Sequence, residues 1–249
     1  MLEGLVASDP GASEATRADI LWRGGDWAAA EESFQRAILA IDAGPLPPAI
    51  AWRFGALLYL QVDRARAEHV LASADGTTGS SSDAALVAAW LSAAAWRNGR
   101  VDEAADHADA ACRHAGVERH PRAIAAAEVA RALVCASRGD RIGNTRAYRA
   151  AYRAAEEADD VIQTGRILAN LSSKALEEGD YQAAVDHANR ALEVAEKHRP
   201  IMALALENKA EALIRQGRLD AARAAAAEAV EAYAAEGSFD LAGPEMLLG

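Results

Sequence analysis

Few residues in this 249-residue chain are placed to do covalent chemistry. No phosphate-binding loop, HExxH pair, GxSxG elbow or dinucleotide glycine fingerprint occurs. Cys112, His114 and His120 form a C-x-H-x5-H cluster, but structural zinc sites are built from four well-spaced ligands. The cluster reads as an ordinary loop, and no metal or cofactor is expected. Asp159-Asp160 follow Glu156-Glu157 and lack a third spaced acid, which suits a solvated junction at a helix end. What remains is binding chemistry. Trp22, Tyr59 and Trp96 recur every 37 residues, Arg23 and Arg97 follow the outer two, and Trp52 lies two helical turns before Tyr59. An aromatic floor edged by guanidinium groups can hold a flat or anionic ligand, or a peptide side chain, by stacking and charge-assisted hydrogen bonds. Rings at helical spacing also pack between helices, and Trp27 and Trp90 are assigned to packing.

The composition says what must position these side chains. The chain is rich in Ala, with Leu, Arg and Glu, and aromatics make up only 5%. That favours closely packed helices over a sheet. A net charge of −11 argues against direct contact with nucleic acid, which needs a basic face. Cys112 and Cys135 have no CxxC spacing, so neither a disulfide framework nor a redox motif is indicated. No apolar run has the length and freedom from charge of a membrane span, and MLEGLVASDPGAS lacks the basic and apolar regions of a signal peptide. The expectation is a cytoplasmic protein that does not bind a membrane. Leu2–Ala7 reads as the tail of a preceding helix and Gly243-Pro244 as the start of a further one, as in a piece of something larger.

The helices repeat. LANLSSKALEE, a Gly-Asp turn and YQAAVDHANRA form a helix, a tight turn and a second helix over residues 168–191. Five further copies align on the turn, with Gly25, Val62, Gly99, Gly139, Gly179 and Gly217 spaced 37, 37, 40, 40 and 38 apart. Glycine there suits a left-handed helix C-cap. Small residues follow at fixed offsets, as in Ala104, Ala108, Ala111 and Ala184, Ala188, Ala191. The fourth copy departs most, with Asn144 and Tyr148 in two of these slots. First helices carry an apolar-then-small pair, clearest in Phe54-Gly55, Leu91-Ser92 and Leu171-Ser172. Pro47-Pro48, Pro121 and Pro200 open first helices, and Ser82 or Asp83 is expected to cap the helix after the linker 76–82. Helices are expected at about 13–23, 27–42, 48–61, 64–75, 83–97, 101–114, 121–138, 141–157, 160–178, 181–197, 201–216 and 219–235.

This pattern resembles the tetratricopeptide repeat. The resemblance implies an all-α, right-handed α-solenoid over residues 1–249, with repeats at about 11–44, 47–77, 82–116, 121–158, 160–198 and 200–236, and a truncated repeat from 237 to 249. In such arrays the first helices line a concave groove. That would place Trp22, Arg23, Trp52, Tyr59, Trp96 and Arg97 in one ligand-binding face. It would also place Asn170 and Asn208 in equivalent slots beside Arg166 and Lys174, where an amide can hold a peptide backbone. A solvated polar face is the alternative for that second group. The repeat style is similar to the sensor region of large bacterial LuxR-type, maltose-regulator-like transcription activators. The function implied is non-enzymatic binding of a peptide, a protein partner or a small inducer. A structural scaffold that self-associates, for instance as a homodimer, is the alternative.

Overall fold

A computed structural model describes residues 10–41, 44–76 and 78–235. The expected helix tail at Leu2–Ala7, the helix start at Gly243-Pro244 and the truncated repeat at 237–249 lie outside the described residues. Among the described residues there are twelve helices: α1 (Pro10–Arg23), α2 (Trp27–Leu39), α3 (Pro48–Leu60), α4 (Arg64–Ala72), α5 (Ser81–Arg97), α6 (Val101–Glu118), α7 (Pro121–Ser137), α8 (Arg141–Glu157), α9 (Val161–Glu178), α10 (Tyr181–Val194), α11 (Arg199–Arg215) and α12 (Leu219–Ala235). The expected all-α repeat fold is present. The chain divides into two compact units, one ending at Ala154 in the last turn of α8 and one beginning at Ala155.

Each helix pair is closed by the same turn. All six marker positions have positive φ, from 70° at Val62 and Gly139 to 89° at Gly25. At Gly179 the amide donates to the Leu176 carbonyl and the next amide, of Asp180, to Ala175, the two bonds of a Schellman cap. The same pair recurs at Val62-Asp63, Gly99-Arg100, Gly139-Asp140 and Gly217-Arg218. Asp26, Asp63 and Asp180 then accept from the amides of Ala29, Arg66 and Ala183, capping the second helix. One dipeptide therefore ends one helix and begins the next. Asp159-Asp160 does this between pairs: Asp159 has φ 50° and Asp160 caps α9.

Packing follows the turn. In the first unit α1, α3 and α5 meet α2, α4 and α6, and α1 also touches α3, α3 touches α5 and α5 touches α7. In the second unit α9 and α11 meet each other and their own partners, α10 and α12. First helices thus stand side by side within a unit. The small-residue slots are buried in every pair except at Ala74. A Cβ on Gly55 would sit 2.5 Å from Leu71, so the small position in α3 is what lets α4 approach. Ser92 and Ser172 donate to the carbonyls of Ala104 and Ala184 across the pair. In the fourth pair the donor is on the other helix, because Asn144 donates to the Ala132 carbonyl. The departure at Asn144 is a reversed form of the same tie.

Several boundaries differ from expectation. α1 begins at Pro10, α2 ends at Leu39 and α10 at Val194, each three residues from the expected position. Three others have an identifiable cause. Ser80, not Ser82 or Asp83, caps α5, accepting from the Asp83 amide. α6 continues to Glu118, whose carboxylate accepts from the amides of Ser81 and Ser82 and the Ser82 hydroxyl. Those bonds, the Ser82 hydroxyl first, hold that carboxyl below its ordinary range. α4 stops at Ala72 because Ser73 turns away to bond Leu46, and Asp75 donates back to the Leu46 carbonyl.

Two predictions follow from the turn and from a buried imidazole. No atom lies within 4 Å of a Cβ built on Gly179, so Gly179→Ala is penalised by its φ of 78° alone. The expected loss is about 1 kcal/mol, whereas Val62→Gly removes a β-branched residue from φ 70° and gains up to about 1 kcal/mol. Urea midpoints of the two variants measure both signs. His198 is 2% exposed, and burial pushes its imidazole down, with Asp160 opposing and Lys197 assisting. The unfolded chain therefore takes up this proton first as pH falls, and stability that is full above about pH 6.5 declines through the folded value. The urea midpoint should drop between pH 7.5 and 5.5, and His198→Gln should flatten that slope.

Candidate functional site

The first helices of the first unit carry a row of aromatic and charged side chains that crosses three helix pairs. α3 supplies Trp52 and Arg53, adjacent in sequence and both turned toward neighbouring first helices. The Trp52 indole donates to Asp83 of α5 at 2.8 Å. The Arg53 guanidinium lies 4.2 Å from the Trp52 ring centroid and donates to Asp19 of α1 at 3.1 Å. It also donates to the Ala49 carbonyl and sits 3.8 Å from Asp83. Asp19 takes a second bond from Arg23 at 3.0 Å, and Asp83 a second from the Ser80 hydroxyl at 2.7 Å. The result is an alternating chain, Arg23–Asp19–Arg53–Asp83, in which each charge has an opposite neighbour.

Burial sets the character of this chain. The Arg53 side chain is only 14% exposed. Desolvation pushes its guanidinium down from the ordinary value, and Asp19 and Asp83 push it back up. A charge taken out of water is tolerable when it is paired and hydrogen-bonded on several sides. Asp19→Ala should therefore destabilise the protein by about 2–3 kcal/mol, below the range for a fully buried pair because some water reaches it. Arg23→Ala, at an exposed position, should cost less than about 1 kcal/mol. Chemical denaturation of the two variants separates the cases.

The expected ligand-facing residues fall into three groups. Trp22 and Trp52 are packed, each 4% exposed, with ring centroids 6.4 Å apart and Trp27 edge-on to Trp22 at 6.0 Å. Neither ring lies open on the surface; they form a base behind Arg53. Tyr59 is half-buried against Trp90, 5.3 Å away. Trp96 is half-buried at the end of α5, its indole donating to Ser137 of α7 at 2.6 Å, with the exposed Arg97 guanidinium 5.9 Å from its ring. Trp27 and Trp90 are in the core, as assigned. The open part of the row is therefore its edge at Tyr59, Trp96 and Arg97.

The second unit treats its two asparagines differently. Asn208 is buried and donates to the Ala169 carbonyl and the Ser173 hydroxyl, so it fastens α11 to α9. Asn170 is half-buried, with no side-chain hydrogen bond among the described residues. Arg166 is buried and donates to Gln163, and Lys174 pairs with Glu178 at 2.6 Å. Of the four, Asn170 keeps an uncommitted amide. As for the cysteine–histidine cluster, Cys112 is half-buried on α6, its thiol pushed up by burial, while His120 accepts from Arg122 at the start of α7. Among the described residues no group of three or more His, Cys, Asp or Glu is arranged to hold a metal ion, and no helix is long and apolar enough to cross a membrane.

Asp19, Arg53 and the pairing of Asp83 with Trp52 and Arg53 are what sequence reading missed in this site. Positions 37 residues either side of Arg53 hold Thr16 and Trp90, so no recurrence marks it. The available signal was an arginine inside a strongly apolar helix, PAIAWRFGALLYL, which demands a buried counter-ion.

Comparison with known proteins agrees with this architecture. No protein-family model and no curated protein matches the sequence. Among solved structures, a signal transduction ATPase with numerous domains from Pyrococcus horikoshii, which carries a tetratricopeptide repeat sensor, superposes with a TM-score of 0.68 at 11% identity. The match covers 98% of this chain and 38% of that one, so the present chain spans well under half of its length. The Cut9–Hcn1 hetero-tetramer of the APC/C matches at a TM-score of 0.65 and 13% identity, over 99% of this chain and 44% of that one. A Rap protein complexed with competence and sporulation factor matches at 0.61 and 14%, over 96% and 74%. At such identities the likeness speaks for the fold alone. With six helix pairs closed by one recurring turn, the chain has the fold of the tetratricopeptide-repeat proteins.

Proposed function

We propose that this chain is a non-enzymatic binding module that seats a peptide segment or a small inducer against the first-helix face of its first unit. The observation that carries this is the open edge at Tyr59, Trp96 and Arg97. There a half-buried indole, an adjacent free guanidinium and the Ser137 hydroxyl join two successive helix pairs at a position that packing leaves accessible. Trp22, Trp52 and Arg23 act behind this edge, with Arg53 and Asp19, as the base that holds it in shape. In the second unit, Asn170 offers an amide to an extended backbone, with Lys174 near it on the same helix, while Arg166 and Asn208 keep that helix in place.

The wider context is a sensor within a larger bacterial regulator that works in the cytoplasm. The likeness to a tetratricopeptide repeat sensor in a signal transduction ATPase and to a Rap protein complexed with competence and sporulation factor favours that setting over an enzyme. A ligand bridging adjacent helix pairs would bias their relative packing, which is the differential contact that a regulatory response requires.

The test is calorimetry of the chain against a panel of short synthetic peptides and candidate inducers. For any ligand that binds, Trp96→Ala with Arg97→Ala should weaken affinity by about tenfold or more, as loss of an aromatic and an arginine contact does. Arg113→Ala, an exposed change on a second helix, should leave it unaltered. Unchanged affinity in the Trp96 and Arg97 variant would remove this face from the account.

A further inference from the structure

α8 presents a face that has no counter-ion among the described residues. Ile142, Arg146, Arg149 and Arg153 are spaced four, three and four residues apart, so they share one side of the helix. The opposite side is buried through Asn144, Ala147, Tyr148 and Ala151. All four residues of the first set are exposed, Ile142 at 76%. Among the described residues no carboxylate pairs with these three arginines, whereas Arg36, Arg53, Arg66 and Arg100 each have at least two. The chain is not short of partners, with 37 acidic residues against 26 basic ones. Like charges three and four residues apart destabilise the helix that carries them. Repetition of the fold does not explain the stripe either. The matching positions of α6, at seven, ten and fourteen residues after its turn glycine, hold Asp106, Asp109 and Arg113, so only the Arg153 slot is basic in both helices.

We propose that the Arg146–Arg149–Arg153 face docks an acidic helical segment of a partner protein. The guanidinium stems leave α8 about 4.5 and 6 Å apart along its axis, three and four residues of about 1.5 Å each. Carboxylates on one face of another helix repeat at the same intervals, whereas those on one side of an extended strand repeat every ~6.6–6.8 Å. A nucleic acid duplex carries one charge per about 1.7 Å of axis and needs a broad basic surface. Here two of the three corresponding positions one repeat earlier, Asp106 and Asp109, are acidic, so the basic strip is one helix wide. Ile142 adds an apolar contact at the end of the strip. The first-helix edge at Tyr59, Trp96 and Arg97 is a separate surface on other helices, and this inference does not depend on it.

The experiment uses the full chain and a fluorescently labelled amphipathic helical peptide with glutamates at i, i+4, i+7 and i+11. A composition-matched isomer spreads the same glutamates around the helix. The one-faced peptide should bind about tenfold tighter than the isomer, and should weaken as salt rises from 50 to 300 mM. R146E/R149E/R153E should abolish that binding with an unchanged far-ultraviolet circular dichroism spectrum. R146Q/R149Q/R153Q, which avoids charge reversal, should weaken it by about tenfold if the reversed variant fails to fold. Equal affinity for the two isomers, tighter binding of a DNA duplex of equal charge, or full binding by the glutamine variant would overturn the proposal.

Discussion

Every helix pair in this chain depends on one residue held at positive φ between two helices. That residue lets two amides reach back to the carbonyls of the ending helix, and in four of the six pairs an aspartate next to it (Asp26, Asp63, Asp140 or Asp180) caps the starting one. With the turn fixed, the relative direction of the two helices is fixed, and small residues at set offsets bring their backbones close. Alanine at 184, 188 and 191 is fully buried for this reason. Individual contacts are small, and the architecture arises from repeating one local solution. Val62 shows how strong the demand is, since a β-branched residue accepts the same conformation.

Stacking first helices side by side then creates the surface on which function is proposed. A face built from α1, α3 and α5 must reconcile apolar packing with any charge placed on it. The chain does so through Arg53, which is desolvated yet bonded to Asp19 and the Ala49 carbonyl, near Asp83, and laid over Trp52. Such a cluster gives rigidity across three helix pairs. It also uses up its own charges, and the edge that stays open falls farther along, at Tyr59, Trp96 and Arg97.

Much of the fold was legible because its signals repeat. The six turn positions, the twelve helices among the described residues and the burial of the alanine slots all follow from periodicity; α8 begins and ends, and α12 begins, where expected. Features that occur once were not legible. Ser80 displaced Ser82 as the cap of α5 because Glu118, 36 residues farther on, claims the Ser82 hydroxyl. Trp22 and Trp52 shared the spacing of surface aromatics, but contact with Trp27 and each other buries them. Asn208 matched Asn170 in register, yet its amide is spent on Ala169 and Ser173. Register assigns a position to a helix face; the neighbours decide whether its polar atoms stay available.

The proposed binding face seats its ligand along the ends of α3, α5 and α7. Hydrogen–deuterium exchange of the chain with and without a bound peptide tests this most directly. Protection confined to the segments around Tyr59, Trp96 and Ser137 is the predicted result. Protection that appears instead on α2, α4 or α6, with those three segments unchanged, would contradict it.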